Sequence, residues 1–330
     1  MLGGAAPEDS APAVDGVGAL YEGNKAEGTS HMINIKLFGP TSVETDRGTV
    51  TASDLGGVKP RQILEILALS PGTPIAKDRL ADLLWDGEPP KTYVGTLESY
   101  VCVLRRSLGL TKGRKSVLAT TSNGYVLDTS EAHVDLVDFR RLLTRSSAAG
   151  PAQSIELTER ALAMVGGTLL ASEAYTTWAT QERHFVDQEL VTACVRAAGH
   201  ALELRDFDTA IRLASAGLDR DRFAESAVQH LMRALWLSGR RCEALRTYSA
   251  LRTAMVDELA LEPGVSTYRL YMEILSDESS SRSAAPDSER AELRALLGLL
   301  RQTLASIPGV ELPGHDGALA EVAVRVLDVA

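Results

Sequence analysis

Cysteine is scarce in this chain of 330 residues. The three present, Cys102, Cys194 and Cys242, lie far apart and form no CxxC pair. That spacing argues against a disulfide framework and a zinc cluster, and it fits a reducing compartment. Long apolar runs are missing as well. None approaches the roughly 18 residues of a membrane helix, so no membrane partner is expected. The opening MLGGAAPEDSAPAVDGVGAL lacks the basic stretch of a signal peptide, and a cytoplasmic protein is expected. The six histidines form no HExxH or other regular pair, and His184, His200 and His230 read as ordinary helical residues. Asp219 and Asp221 read as turn residues beside Arg220 and Arg222 rather than as a metal pair. Gly56-Gly57-Val58-Lys59 lacks the GK[ST] of a phosphate loop. No Ser/His/Asp or paired-carboxylate constellation has supporting context. No enzyme activity, metal or cofactor is therefore expected.

Negative charge dominates overall, at −10, and argues against a nucleic-acid partner until it is divided along the chain. Residues 31–128 hold 12 Lys+Arg against 10 Asp+Glu, so everything else sums to −12. Between Ser99 and Leu127 there is no acid at all, while Arg105, Arg106, Lys112, Arg114 and Lys115 fall there. A local basic patch is what a polyanion feels within a Debye length. The alternative is a solvated charge run.

Residues 1–30 are rich in Gly, Ala, Ser, Glu and Asp without period, and read as a disordered acidic tail. INIKLFG (33–39) alternates as a half-buried strand, with short antiparallel partners at 42–45 and 49–51. Three helices follow, at 58–70, 76–85 and 89–108, the last opening on Pro89-Pro90 and closing at Gly109. Residues 116–128 then read as a hairpin turning at Asn123-Gly124.

At 100° per residue, Val94, Leu97, Val101, Leu104 and Leu108 form one core stripe of the third helix, with Tyr93 and Tyr100 on its shoulder. The opposite face holds Thr92, Gly95, Thr96, Ser99, Val103 and Arg106, flanked by Cys102 and Arg105. These side chains are mostly small and polar, which lets a helix sit deep in a groove. Val103 is either a tolerated apolar residue or a contact for a thymine methyl. Cys102 is an ordinary residue or a redox switch, and nothing in the sequence points to the second. Sheet, three helices and a basic-entry hairpin make a winged helix-turn-helix, with the third helix in the major groove and the wing on the backbone or minor groove. Lys77, in the first turn of the second helix, is placed to meet phosphate.

The second half, 133–275, is helical. DFDTAIRLASAGL (206–218) aligns with RRCEALRTYSALR (240–252) at an offset of 34, matching Ala210 with Ala244, Ile211 with Leu245 and Ala214 with Tyr248. Ala201-Leu202 likewise falls opposite Leu235-Trp236. A 34-residue helix–turn–helix period is the tetratricopeptide signature. Residues 276–289 read as a linker. Within 290–330, the stretches 290–307 and 318–330 read as amphipathic helices of a hairpin that docks back or aids dimerisation. Trp178 and Trp236 are taken as core.

The motifs LLW (83–85), TLESYVCVLRRSLG (96–109), GYVLD (124–128), VDLVDFRRLL (134–143), SGRRCEALRTYSALR (238–252) and ELALEPG (258–264) occur in that order. In this the chain resembles the Streptomyces antibiotic regulatory protein family. Its fold is mainly α with a small β component: an N-terminal OmpR-like winged helix-turn-helix, then an all-α tetratricopeptide-like bacterial transcriptional activation domain. The resemblance implies a transcription activator of a secondary-metabolite (antibiotic) gene cluster. It further implies promoter direct repeats in double-stranded DNA as the target, paired copies on DNA, and RNA polymerase holoenzyme as partner. It places Thr92, Thr96, Ser99, Arg105 and Arg106 on the DNA face, with Asn123, Gly124 and Tyr125 on the wing. Tyr100, Val103, Lys77, Lys112, Arg114 and Lys115 join the expected contacts from the residue reading. Family helices commonly carry basic residues near 95, 102 and 103, where this chain has Gly95, Cys102 and Val103. That departure implies a modest affinity or a different operator. It also keeps open a protein-interaction scaffold whose winged helix has weak or no autonomous DNA binding. No receiver domain or ATPase module is expected around the pair.

Overall fold

The computed structural model describes residues 32–110 and 116–277. They divide into two compact units. The first comprises the described residues through Asp138 together with Val165–Thr180, and the second takes Phe139–Met164 and Gln181 onward.

In the first unit β1 (Ile33–Lys36), β2 (Ser42–Thr45) and β3 (Gly48–Thr51) run antiparallel in sequence order. Alternation buries Ile33 and Ile35 and leaves Asn34 and Lys36 exposed. The expected antiparallel sheet is a mixed one, because β7 (Ala132–Val134) pairs with β1 in parallel, giving the order β3-β2-β1-β7. The expected strand 33–39 is also shorter: it ends at Lys36, and Phe38 makes an isolated bridge to Leu169. Past β7, the Asp135 carboxylate accepts the N–H of Leu37 (2.9 Å) and Phe38 (3.1 Å). Burial raises its pKa, against the pull of those N–H groups.

Three helices sit in this unit: α1 (Val58–Leu69), α2 (Lys77–Leu84) and α3 (Tyr93–Ser107). α1 is apolar on most of its surface, and Ile63, Leu64 and Leu67 are fully buried. Lys59 ties α1 to α2, its Nζ donating to the Leu84 carbonyl and standing 5.8 Å from the centre of the Trp85 ring. α3 begins four residues later than the start at Pro89 read from the sequence. The prolines instead lie in the turn ahead of it, where the Tyr93 N–H donates to the Pro90 carbonyl (2.9 Å). A second sheet, in the order β4-β6-β5, joins β4 (Ile75–Ala76), β5 (Leu118–Thr120) and β6 (Gly124–Leu127).

Helix α4 (Asp135–Ala148) starts in the first unit and continues in the second, where α5 (Pro151–Met164) follows. Then come α6 (Thr177–Glu203), α7 (Phe207–Leu218), α8 (Glu225–Leu237), α9 (Arg241–Leu259) and α10 (Val265–Ser276). The 34-residue offset survives as matched burial. Ala210 and Ala244 are both fully buried, Ile211 and Leu245 are both half-buried, and Ala214 and Tyr248 are both in the core. Asp206 caps α7 by accepting the Thr209 N–H (3.1 Å). Val228, Met232, Leu235, Leu251, Met255, Leu270 and Ile274 form one cluster across α8, α9 and α10. Asp219 and Asp221 lie in the α7–α8 turn, and the Asp221 carboxylate accepts the Phe223 N–H (2.9 Å). Trp178 is buried, whereas Trp236 is half-buried with its Nε1 donating to Asp277 (2.6 Å). The sequence expectations for residues 1–30 and 290–330, and most of the 276–289 linker, lie outside the described residues. No described helix is long and apolar enough to cross a membrane.

Candidate nucleic-acid interface

α3 is the element around which the interface is built. Leu97, Val101, Leu104 and Leu108 are buried and occupy one side of the helix. Val94, placed on this stripe by its angle, is 41% exposed. It sits in the first turn, and angle alone does not say where along the axis the core ends. On the far side Thr92, Gly95, Ser99 and Arg106 are exposed and Cys102 is half-exposed. Spaced three and four apart, they fall within roughly 80° of arc. The Thr96 and Ser99 hydroxyls donate to the carbonyls of Thr92 (3.1 Å) and Gly95 (2.9 Å). Both oxygens keep lone pairs for a donor from outside. Gly95 has no heavy atom within 4 Å of where a side chain would begin. The stripe is smooth and small, with one cation, Arg106, at its C-terminal end.

Two neighbouring arginines separate in role. Arg105 turns inward, its Nε and Nη2 donating to the Leu118 carbonyl (3.1 and 2.7 Å) and Nη2 also to Thr120 Oγ1 (2.8 Å). It holds α3 to strand β5 of the wing, and burial lowers its pKa. Arg106 is exposed.

Several expected contacts are committed elsewhere. Lys77 Nζ bonds the Glu98 carboxylate (2.7 Å), which raises the lysine pKa, and it stands 5.9 Å from the centre of the Tyr125 ring. The Lys77 N–H, one of the free donors expected at the start of α2, is taken by the Asn123 carbonyl (2.9 Å). Val103 packs toward the loop before α1: a side chain at Gly56 would come within 2.2 Å of its Cγ1. Val103 is half-buried and so has a neighbour within its own unit on that side. Tyr100 is half-buried and stacks on Trp85 with centroids 6.5 Å apart.

At the wing, the tip is Ser122-Asn123, both exposed, closed by the Thr121 N–H to the Gly124 carbonyl (3.0 Å). Neither tip residue has a positive φ, and neither does Gly124. The sequence reading of Asn123-Gly124 as the turn pair is thus one residue out of register. Gly124 opens β6, paired with Ala76, and a Cβ there would lie 1.9 Å from the Ile75 carbonyl oxygen. The glycine serves close strand approach, not turn conformation. Gly124 and Tyr125 are buried, Tyr125 at 2% exposure, so they shape the wing from inside. Lys112, Arg114 and Lys115 lie outside the described residues.

One residue was not anticipated. Arg47, exposed at the β2–β3 turn, brings its guanidinium over Gly109, where a Cβ would sit 2.7 Å from Nη1. It adds a second exposed cation at the C-terminal end of α3. Only the long-range fold joins residues 47 and 109, and the sequence signal is limited to an arginine in a tight turn.

Residues 134–275 match the family model described as bacterial transcriptional activator domain. Residues 56–127 match that of transcriptional regulatory protein, C terminal. The chain is 27% identical over 274 residues to the regulatory protein DnrI of Streptomyces peucetius, covering 80% of this chain and 100% of that one. It is 26% identical over 259 residues to the transcriptional regulator RedD of Streptomyces coelicolor, covering 74% of this chain and 71% of that one. Among solved structures, Mycobacterium tuberculosis EmbR in complex with a low affinity phosphopeptide superposes with a TM-score of 0.63 at 23% identity, covering 84% of this chain and 72% of that one. That last likeness is one of fold.

Proposed function

The chain belongs to the Streptomyces antibiotic regulatory protein family of transcription activators, and from that premise we propose that α3 reads promoter DNA directly. The observation that carries this reading is the outward stripe Thr92–Gly95–Ser99–Cys102–Arg106, which takes no part in the core. An α-helix with its side chains is about 10–12 Å across, and the major groove of B-DNA is about 12 Å wide. Small residues along the leading face let the helix backbone approach the base edges. Thr92 and Ser99 offer hydroxyls there, and Arg106 and Arg47 meet phosphates at the C-terminal end. Asn123, at the wing tip, reaches the adjacent backbone or minor groove. With few cations on the helix itself, one copy binds modestly. Two copies on direct repeats raise the affinity through a shared template. The helical half then contacts RNA polymerase holoenzyme, so a fragment ending near Asp128 binds DNA without activating.

The test is a gel-shift titration of the full-length protein on its own upstream DNA, with an unrelated duplex as control, at two salt concentrations. Sequence-selective binding with a log–log salt slope of roughly −0.9 per neutralised phosphate supports direct reading. Binding that is absent or unselective, alone and with holoenzyme added, sinks it and favours the scaffold reading.

A further inference from the structure

The last described helix, α10, is apolar on two sides, and only one of them is covered. Its inner arc, Thr267, Leu270 and Ile274, is buried against α8 and α9. Its outer arc is Val265 (73% exposed), Tyr268 (50%), Met272 (42%) and Leu275 (43%). Their spacing of three, four and three puts them on one continuous face. Tyr271, on the shoulder between the two arcs, stacks on Tyr248 at 4.2 Å. Tyr268 and Tyr271 line a groove of about 490 Å3 with Tyr248, Arg252, Glu262 and Pro263. More than half the circumference of α10 is thus apolar, which is the pattern of a helix inside a stack. The final repeat of a helical stack ordinarily carries a polar outer face. α10 has the outer face of an inner repeat.

The chain supplies a match. Residues 290–307, RAELRALLGLLRQTLASI, place Leu293, Leu296, Leu297, Leu300, Leu304 and Ile307 within roughly 100° of a helical wheel. Arg301 and Arg294 flank one edge of this stripe, Leu299 lies beyond the other, and Gln302 is opposite. An isolated helix of this length is marginal in water and gains its stability from packing of such a stripe. The 13 residues from Asp277 to Glu289 reach at most roughly 45 Å when extended. α10, at 12 residues, is roughly 18 Å long, so the segment can return along it in either direction. The match to the activator-domain model ends at residue 275, so this pairing is not part of what the family model describes.

We propose that residues 290–307 of the same chain cover the Val265–Tyr268–Met272–Leu275 face of α10 and close the helical stack. The test is hydrogen exchange with mass spectrometry on the full chain. Amides of 290–307 in the unaltered protein exchange at least about tenfold more slowly than an unfolded segment. Met272→Glu, or independently Val265→Glu, abolishes that protection while α7 to α9 exchange as before. Both positions are exposed, so neither change disturbs the core beneath. Leu300→Glu, on the segment itself, gives the same loss. Three results overturn the proposal: no protection of 290–307 in the unaltered chain, protection that survives the α10 substitutions, or protection that rises with protein concentration alongside a dimer in light scattering. The last would make a second copy the occupant.

Discussion

Replacing Gly124 with alanine tests the geometry of the wing at one atom. The added Cβ would stand 1.9 Å from the Ile75 carbonyl oxygen, 2.7 Å from its carbon and 2.9 Å from Ala76 Cα. All three are backbone atoms, so no side chain can rotate away. Strand β4 must retreat from β6, loosening the Ile75–Tyr125 and Ala76–Gly124 pairs and the Lys77 N–H bond to Asn123. Overpacking costs about 1–3 kcal/mol and the weakened bonds together about 1 kcal/mol more, since each is stretched rather than lost, so the first unit loses about 2–4 kcal/mol. Thermal melting, with hydrogen exchange read on peptides 72–80 and 116–128, should find the loss centred there. Asparagine at 124 separates packing from turn chemistry. If the glycine were there for a left-handed turn, Asn would be tolerated better than Ala, since Asn enters that conformation readily. Close packing predicts the reverse, because Asn is the larger. A Gly124→Ala protein within about 0.5 kcal/mol of the parent, the ordinary scatter of a neutral substitution, or an Asn variant more stable than the Ala variant, would refute the argument.

Three further outcomes follow from the same geometry. Arg105→Ala should lower the melting temperature by weakening the tie between α3 and the wing while leaving the salt slope of DNA binding unchanged. Arg106→Ala should do the opposite, keeping the melting temperature and making the slope shallower by about 0.9 if the side chain meets phosphate. Glu65 is fully buried, and burial first, then the neighbouring Glu173, lifts its pKa from 4.5 to about 8 against the Thr41 hydroxyl. The folded state therefore holds this proton more tightly than the unfolded chain. The resulting stability is complete below about pH 4.5 and is lost as pH rises toward about 8, on the order of a few kcal/mol. Urea titrations across that range should lose this component in Glu65→Gln, and an unchanged pH profile would refute the assignment.

The parts legible in the sequence were those with a repeating signal. Three strands and three helices of the first unit have enough residues for a period to show, and the 34-residue echo paired residues of α7 and α9 that share the same degree of burial. The parts missed were short or distant. β4 and β7 have two and three residues, too few for an alternation, and β7 finds β1 across nearly 100 residues of chain. A helical wheel gives direction but not neighbours. It showed neither the loop at Gly56 that lies beside Val103 nor the Glu98 carboxylate that pairs with Lys77. The same blindness hid Arg47, which is near Gly109 only because the β2–β3 turn folds there.

Charge counting along a sequence treats every cation as available, and the winged unit shows why that overstates a nucleic-acid surface. Arg105 and Arg106 are identical and adjacent, yet 100° of helical rotation sends one to the Leu118 carbonyl and leaves the other exposed. Lys77 is held by Glu98, and Lys59 by the Leu84 carbonyl and the Trp85 ring. The cations that tie elements together fix where α3 lies relative to the wing, and those left exposed can meet phosphate. Salt dependence follows the number of phosphates neutralised, and the exposed, uncommitted cations reach a phosphate without first giving up an internal bond. If α3 reads DNA as proposed, a helix positioned by its own arginine, with a mostly uncharged leading face, draws its discrimination from close approach to base edges. On that proposal Gly95 and Ser99, the two smallest residues on the stripe, are as consequential for sequence choice as Arg106 is for affinity.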